Sequence, residues 1–426
     1  MQFRLAMQGA KSRRDMIYDT HSSTLRWADD GSDVDLLPVR LQRVYRQHRD
    51  AIVVTPDNPG LKSPLVGTLK IQLGLRCNYA CSYCNQASQP QDEQGDLADV
   101  QTFLAALDGW IIGAPARVEF WGGEPLAYWK SLRPLAEALR LRWPGTMFSM
   151  VTNGSLLDDI KLEWLARQGF AICISHDGPG HVAARGADPF DIPEQAAMFR
   201  KAWKRLHPLG RLSFNCVLTR GNESLDAIRC HIAQGLEVDP RDVVLNTEEV
   251  LLPYDLGGMA MSPLKQEDHA TMHEQVFNDI VAGMARDVVQ VRSKINDFFG
   301  SIATGRPVMS LGQKCGMDRE DNLAVDLKGS VITCQNTSAS TKHRMGNVSE
   351  FDQVRLTQAH HFSTRPECLS CPVVQLCKGA CMFLEGPLFE QACSNSYTYN
   401  TAVLKAALYF LTGSELVGIS MEEGVS

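Results

Sequence analysis

Apolar residues recur along this chain with two alternating periods. Short β-forming runs at 69–75, 116–121, 146–152, 170–175, 212–218 and 242–248 alternate with helical patterns at 98–111, 126–142, 156–168, 193–206 and 223–235. The runs are rich in Val, Ile, Leu and Phe and read as strands, whereas apolar positions spaced three to four apart read as amphipathic helices. Strict alternation of the two predicts parallel βα units. Six of them predict an α/β fold, a partial (β/α)6 TIM barrel over residues 67–250, whose active site belongs at the C-terminal rim.

The flanks read differently. Residues 1–66 predict an N-terminal extension with a hairpin, 16–20 and 24–27 around His-Ser-Ser, then a basic amphipathic helix at 39–47. A helical bridge follows the barrel at 251–310, with its pattern at 264–302, and a cysteine-rich segment occupies 311–395. An amphipathic helix at 397–411 is expected to pack back on the barrel, with a mobile tail from Gly418 to Ser426.

Cysteine placement changes this picture from architecture to chemistry. Ten of the 13 cysteines fall into two ordered sets: Cys77, Cys81 and Cys84, then Cys315, Cys334, Cys368, Cys371, Cys377, Cys381 and Cys393. The first set is C-x3-C-x2-C on one short loop after the first strand, and no histidine or fourth cysteine lies near it. Soft thiolates select zinc, copper(I) or iron–sulfur clusters, and a structural zinc would be closed by a fourth ligand. An open position is instead what a catalytic metal keeps.

Three further segments end in polar or glycine-rich tips: Val118–Pro125 with Gly122, Gly123 and Glu124, Met147–Gly154 with Thr152 and Asn153, and Ala171–Pro179 with Ser175 and Asp177. Glycines after a strand allow close backbone approach, and Asp177 also reads as a turn cap. With these in order, the sequence resembles the radical S-adenosylmethionine (SAM) superfamily, whose cysteine motif carries an aromatic residue where Tyr83 stands. The resemblance implies a [4Fe-4S] cluster on Cys77, Cys81 and Cys84 with one iron open to SAM, and cleavage of SAM to a 5′-deoxyadenosyl radical. It implies SAM contacts from Tyr83, Gly122, Gly123, Glu124 (the amino group), Thr152 and Asn153 (the ribose side) and Ser175.

The second set does not fit a zinc ribbon, because x5 and x3 spacings replace the paired C-x2-C knuckles. It resembles the seven-cysteine SPASM pattern of radical enzymes that modify peptides. That resemblance implies two auxiliary [4Fe-4S] clusters, one on Cys368, Cys371, Cys377 and Cys393, the other on Cys315, Cys334 and Cys381. The second lacks a fourth cysteine, which leaves an open iron or a ligand such as Asp318. Extra clusters suit oxidation, since an electron must leave after a hydrogen atom is abstracted and a bond forms.

In sulfatase-maturing relatives an aspartate follows the cysteine matching Cys334 and serves as base; here Gln335 stands there and cannot accept a proton. Candidate catalytic residues are therefore Gln335 by position and Asp318, Glu248 and Glu249 as replacement carboxylates. The expected function is two-electron oxidation of a ribosomally made peptide, forming a carbon–carbon or thioether crosslink. Formylglycine formation and epimerisation are the alternatives, and a non-catalytic iron–sulfur electron carrier or peptide-binding protein is the alternative of another class. Expected partners are the precursor peptide, a flavodoxin- or ferredoxin-type electron donor and a separate leader-binding protein.

Composition adds limits. A net charge of −7 gives no reason to expect nucleic acid, and no apolar run approaches the ~20 residues of a membrane span. No signal peptide is read and disulfides are disfavoured, so a cytoplasmic location is expected. Cys173, Cys216 and Cys230 are expected to be buried core thiols, and His269 with His273 an exposed i,i+4 pair.

Overall fold

The computed structural model describes residues 1–10, 12–38, 51–90, 94–252, 254 and 264–422; the expected helix at 39–47 lies outside them. The chain begins with the antiparallel strands β1 (Gln2–Gln8), β2 (Arg13–Asp19) and β3 (Thr24–Trp27), so the hairpin forms as expected. A two-residue strand β4 (Gly60–Leu61) precedes six parallel strands: β5 (Thr68–Gln72), β6 (Arg117–Trp121), β7 (Met147–Thr152), β8 (Phe170–Ser175), β9 (Leu212–Leu218) and β10 (Leu245–Val250).

Helices α1 (Leu97–Ala106), α2 (Trp129–Arg142), α3 (Asp159–Arg167), α4 (Pro193–Leu206) and α5 (Leu225–Leu236) connect them. Their starts are chemically marked. Asp96 caps α1 in a capping box with Asp99, Asp158 accepts from Lys161 N at 2.8 Å, and Ser224 accepts from Ala227 N at 3.0 Å. Each cap satisfies an N–H that the first turn leaves orphaned.

The two faces of this sheet differ in kind. Outward positions carry Phe120, Phe148 and Phe170, with ring centroids 5.3–5.5 Å apart, under α2 and α3, and Trp164 joins them. Inward positions carry Glu119, Ser149, Ala171, Cys173, Ser213, Asn215 and Asn246, and these line a cavity. A TIM barrel is normally filled by bulky aliphatic layers. Small polar residues leave this one hollow.

The barrel is also open. Strand β5 pairs on its far side with β11 (Asn322–Asp326), in parallel, and the sheet continues antiparallel through β12 (Ser330–Ile332) and β13 (Arg344–Asn347), leaving β10 at the other edge. The cysteine-rich segment thus extends the barrel sheet itself, while β14 (Arg355–Leu356) pairs with β4.

Three expectations change in the remaining chain. The pattern at 264–302 forms two helices, α6 (Gln266–Val281) and α7 (Val289–Thr304), divided at Gly283, where Asp226 accepts from Met284 N at 2.9 Å. The last helix, α8 (Gly386–Thr412), is 27 residues long and buried on nearly every side from Thr398 to Leu408. It is no surface amphipath, because α6, the terminal sheet and the barrel enclose it. Finally, β15 (Glu415–Met421) pairs antiparallel with β1, so Gly418–Met421 is strand where a mobile tail was expected. The open edge of β1 needs a partner for its backbone groups, and Arg4 fixes the end by an ion pair to Glu422 at 2.6 Å.

Candidate active site

The loop after β5 is held from three sides. Gly123 N–H donates to Gly74 O at 3.0 Å and Glu124 N–H to Arg76 O at 3.1 Å. A Cβ on Gly123 would lie 2.3 Å from Arg76 O, so the close approach this glycine permits is to the cysteine loop's own backbone. The Glu124 carboxylate, buried at 1% exposure, accepts from Thr152 Oγ1 at 2.6 Å, Asn153 N at 2.8 Å and Leu126 N at 2.9 Å. It ties the loop after β6 to the tip of β7. Asn153 Nδ2 then donates to Asn78 Oδ1 at 3.0 Å, and Asn78 Nδ2 to Ser155 Oγ at 2.8 Å.

The third side is the turn after β8. Asp177 is its hub rather than a turn cap: the Tyr83 hydroxyl and Arg185 Nε (2.7 Å) donate to Oδ2, and Val217 N (3.0 Å) donates to Oδ1. Ser82 N–H donates to Ala184 O at 2.8 Å. The aromatic residue of the cysteine motif is therefore anchored by a buried ion pair, with Arg185 9% and Asp177 1% exposed. Sequence reading missed Arg185, which belongs to no motif and meets Asp177 only because a short helical turn brings it back.

Cys77, Cys81, Cys84, Tyr83, Gly122, Gly123, Glu124, Thr152, Asn153 and Ser175 all line one cavity of about 730 Å³. Glu248, Tyr254, Gln335 and Asn336 line it as well, and Gln86 Nε2 donates to Asn336 Oδ1 at 2.9 Å, joining the segment after Cys84 to the segment after Cys334. Of the expected bases, Gln335 and Glu248 face the cavity. Asp318 is buried outside it, accepting from Gln313 N at 3.1 Å, and Glu249 points to the opposite side of β10, into Lys294 and Lys314.

The other cysteines assemble as two groups. Cys315, Cys334 and Cys381 act electrostatically on one another, and all three on the Tyr254 phenol. Cys368, Cys371, Cys377 and Cys393 line a second, small pocket. Burial pushes the thiols up, Cys81, Cys334 and Cys393 to about 11 and Cys371 and Cys381 to about 12, with neighbouring thiols adding to it. Such sets hold thiolate only beside a cationic group.

All 13 cysteines are free thiols, and among the described residues no three of these sulfurs lie within 4.8 Å of one another. A zinc tetrahedron with ~2.3 Å bonds needs edges of ~3.8 Å, so the wider groups suit a polynuclear cluster. Cys216 is buried as expected, but Cys230 is exposed and Cys173 is half-buried in the cavity wall. His269 is half-buried rather than exposed, its Nδ1 2.6 Å from Thr398 Oγ1.

Behind Asp177 lies a group the sequence did not suggest, His176, Asp188 and His231, with Nε2–Oδ distances of 3.1 and 2.7 Å. Gly178 N–H donates to His176 Nδ1 at 3.0 Å, so the hydrogen-bond network assigns the proton to Nε2, which donates to Asp188. That is a brace rather than a metal site.

His181, its ring centroid 4.2 Å from that of His176 and tilted 38° to it, is fully buried with neither ring nitrogen bonded. Burial, with help from His176 and Arg185, pushes it from 6.5 to about 3. A depressed folded value means its stabilisation is complete above pH 6.5 and is lost as pH falls toward 3. Between pH 7.5 and 5 the protein is expected to lose roughly 2 kcal/mol more than His181→Leu in denaturant unfolding; equal losses would exclude this histidine as the cause.

An open parallel barrel thus presents three free thiols at its rim, beside a polar cavity. Residues 71–207 match the Radical SAM superfamily, so the chain carries a radical SAM domain, and a cysteine-rich C-terminal region follows it. The cysteine-type anaerobic sulfatase-maturating enzyme of Clostridium perfringens (strain 13 / Type A) is 25% identical over 340 residues, 72% of this chain and 85% of the relative. The PqqA peptide cyclase of Gluconobacter oxydans (strain 621H) is 33% identical over 109 residues, 26% of this chain and 29% of the relative. The solved structure of native anSMEcpe with bound AdoMet and Cp18Cys peptide superposes with a TM-score of 0.55 at 19% identity, covering 80% of this chain and 98% of that one. No described helix is long and apolar enough to cross a membrane.

Proposed function

We propose that this enzyme oxidises a ribosomally made peptide by two electrons and closes a carbon–carbon or thioether crosslink within it. The observation that carries the reading is the single cavity that Cys77, Cys81 and Cys84 share with Gln335 and Asn336 of the segment after Cys334. A side chain bound in that cavity would lie near both. Names of relatives that act on a sulfatase and on a peptide support a peptide substrate.

In this reading Cys77, Cys81 and Cys84 hold a [4Fe-4S] cluster, Gly122, Thr152, Asn153 and Ser175 cradle SAM, with Gly123 letting the cysteine loop close on them, and the two C-terminal sets hold auxiliary clusters. Bound together, the first cluster and SAM supply a 5′-deoxyadenosyl radical for hydrogen abstraction. The chain's own work is positional. Asp177 and Arg185 hold Tyr83 and with it the loop, Glu124 locks the strand tips around the cavity, and the small inward residues keep room for a side chain beside the abstraction point. Glu248, which lines the cavity, takes the proton released when the substrate is oxidised, a role the Gln335 amide cannot fill.

That same carboxylate, with the sulfatase-maturating relatives, favours formylglycine formation as a second reading. Anaerobic co-expression with a peptide encoded beside the gene separates the two by mass spectrometry. A crosslink is expected to remove two hydrogens and suppress fragments inside the ring, with no reaction toward a hydrazine reagent. A hydrazine-reactive aldehyde would establish the second reading, and an unchanged mass in a peptide that takes up no solvent deuterium would sink both.

A further inference from the structure

Between the two C-terminal cysteine groups lies a buried ionic triad that the chemistry above does not use. Glu249, at the end of β10, is 3% exposed and sits at φ +68°, a strained conformation for a non-glycine residue. Its Oε1 lies 2.8 Å from Lys294 Nζ on α7, and its Oε2 3.1 Å from Lys314 Nζ. Lys294 also donates to Leu376 O at 2.5 Å and Asn400 Oδ1 at 2.9 Å. Three acceptors around one nitrogen match the three N–H bonds of an ammonium ion.

With Lys294 12% and Lys314 26% exposed and Glu248 also acting on Lys314, two ammonium groups against one carboxylate leave the triad an excess positive charge. Its place is specific. Leu376 immediately precedes Cys377 and Lys314 immediately precedes Cys315, and the Cys377 thiol feels Lys294, Glu249 and Lys314 together, whereas Cys381 feels Lys314. The charge therefore bears most on the four-cysteine group. Relative to the cavity that group is also the outer one, because the three-cysteine group acts on Tyr254, which lines the cavity, whereas the four cysteines line a separate pocket.

Removing ions from water is costly and a buried pair is weak evidence for stability. A strained, uncompensated triad asks for another reason. A fixed positive charge in a low-dielectric site favours the more negative state of a neighbouring redox group, and cluster potentials respond to charge and hydrogen bonding.

We propose that Lys294, Glu249 and Lys314 raise the reduction potential of a cluster held by Cys368, Cys371, Cys377 and Cys393, and so direct the substrate's second electron outward. This rests on the reading that both groups hold auxiliary clusters. As the new bond forms, the substrate radical gives one electron to the cluster on Cys315, Cys334 and Cys381, and its proton goes to Glu248. The same electron passes to the outer cluster, then to an oxidised one-electron carrier of the flavodoxin or ferredoxin class. Each cluster is reduced once and reoxidised once.

The test is EPR-monitored redox titration of reconstituted full-length protein in a Cys77→Ala/Cys81→Ala/Cys84→Ala background, which leaves only auxiliary signals, with iron measured per chain. Lys294→Met is expected to lower the potential of the outer cluster and Glu249→Gln to raise it. Each shift should change the electron-partition constant about tenfold, 59 mV for a one-electron couple. Lys294→Arg should stay at the starting value. A merely structural role would displace both variants in one direction, and that result, or smaller shifts, overturns the proposal. If Lys294→Met fails to load, Lys314→Met takes its place with the same expected sign. About eight irons per chain in the parent are expected from two four-iron clusters; their absence would overturn the cluster reading itself, a failure distinct from unmoved potentials.

Discussion

Replacing Cys84 by alanine abolishes formation of 5′-deoxyadenosine under reducing, anaerobic conditions, while iron bound by the C-terminal cysteines is retained. The loop offers three thiols and no fourth soft ligand, and two of its polar side chains are already committed, Asn78 to Ser155 and Asn153, and Tyr83 to Asp177. Changes one shell removed from a metal typically cost ~10–100-fold in affinity or activity. Loss of a direct ligand from a three-thiol site is therefore expected to cost on the order of a thousandfold or more.

The loop itself should survive, since the backbone contacts of Ser82, Gly123 and Glu124 do not involve the Cys84 side chain. Iron per chain and product yield, measured on the same reconstituted sample, decide the matter. Persistent cleavage at more than a few per cent of the parent rate would assign the first cluster elsewhere. Unaltered product with lost C-terminal iron would exchange the roles of the two cysteine sets.

Asp177→Ala is expected to be the most damaging single change outside the cysteines. It removes the acceptor of Tyr83, Arg185 and Val217 N together, and leaves the Arg185 guanidinium, 9% exposed, without its counter-ion. Breaking a buried pair by deleting one partner costs about 3–5 kcal/mol, because the remaining charge stays desolvated. The consequence extends past stability, since the Tyr83 anchor and the Ser82 contact hold the cysteine loop against this turn.

Unfolding in denaturant should show a loss of that size, with reconstituted iron at Cys77, Cys81 and Cys84 reduced in parallel. The double variant Asp177→Leu/Arg185→Met removes both charges and is expected to recover a large part of the stability but not the iron, because Tyr83 stays unanchored. A loss below ~1 kcal/mol for Asp177→Ala would mean that the pair is solvated in solution.

The parallel barrel was legible because strand and helix periods alternate with little ambiguity from residue 69 to 248, and caps such as Asp96, Asp158 and Ser224 stand where the periods change. The cysteine loop was legible for a local reason: three soft ligands within eight residues need no tertiary information to be seen as a set. Less was readable wherever distant segments meet. The run Glu415–Met421 looks like a tail until β1 needs an edge partner, and α8 looks amphipathic until three elements cover it. Gly123 reads as room for a ligand, whereas its neighbour is the carbonyl of Arg76.

By itself, then, the sequence determined the strand and helix order, the soft-ligand loop and the polar tips of the strands that surround it, because these depend on residue type and near spacing. Only the tertiary structure decided that Gln335 and Glu248 share the cavity with Cys77 while Asp318 does not. It alone turned Asp177 into the anchor of Tyr83, and it alone placed Glu249 between Lys294 and Lys314 beneath Cys377. Hydrogen bonds and ion pairs act over about 3 Å in space whatever the separation along the chain, and for these residues that separation runs from 8 to 94 positions.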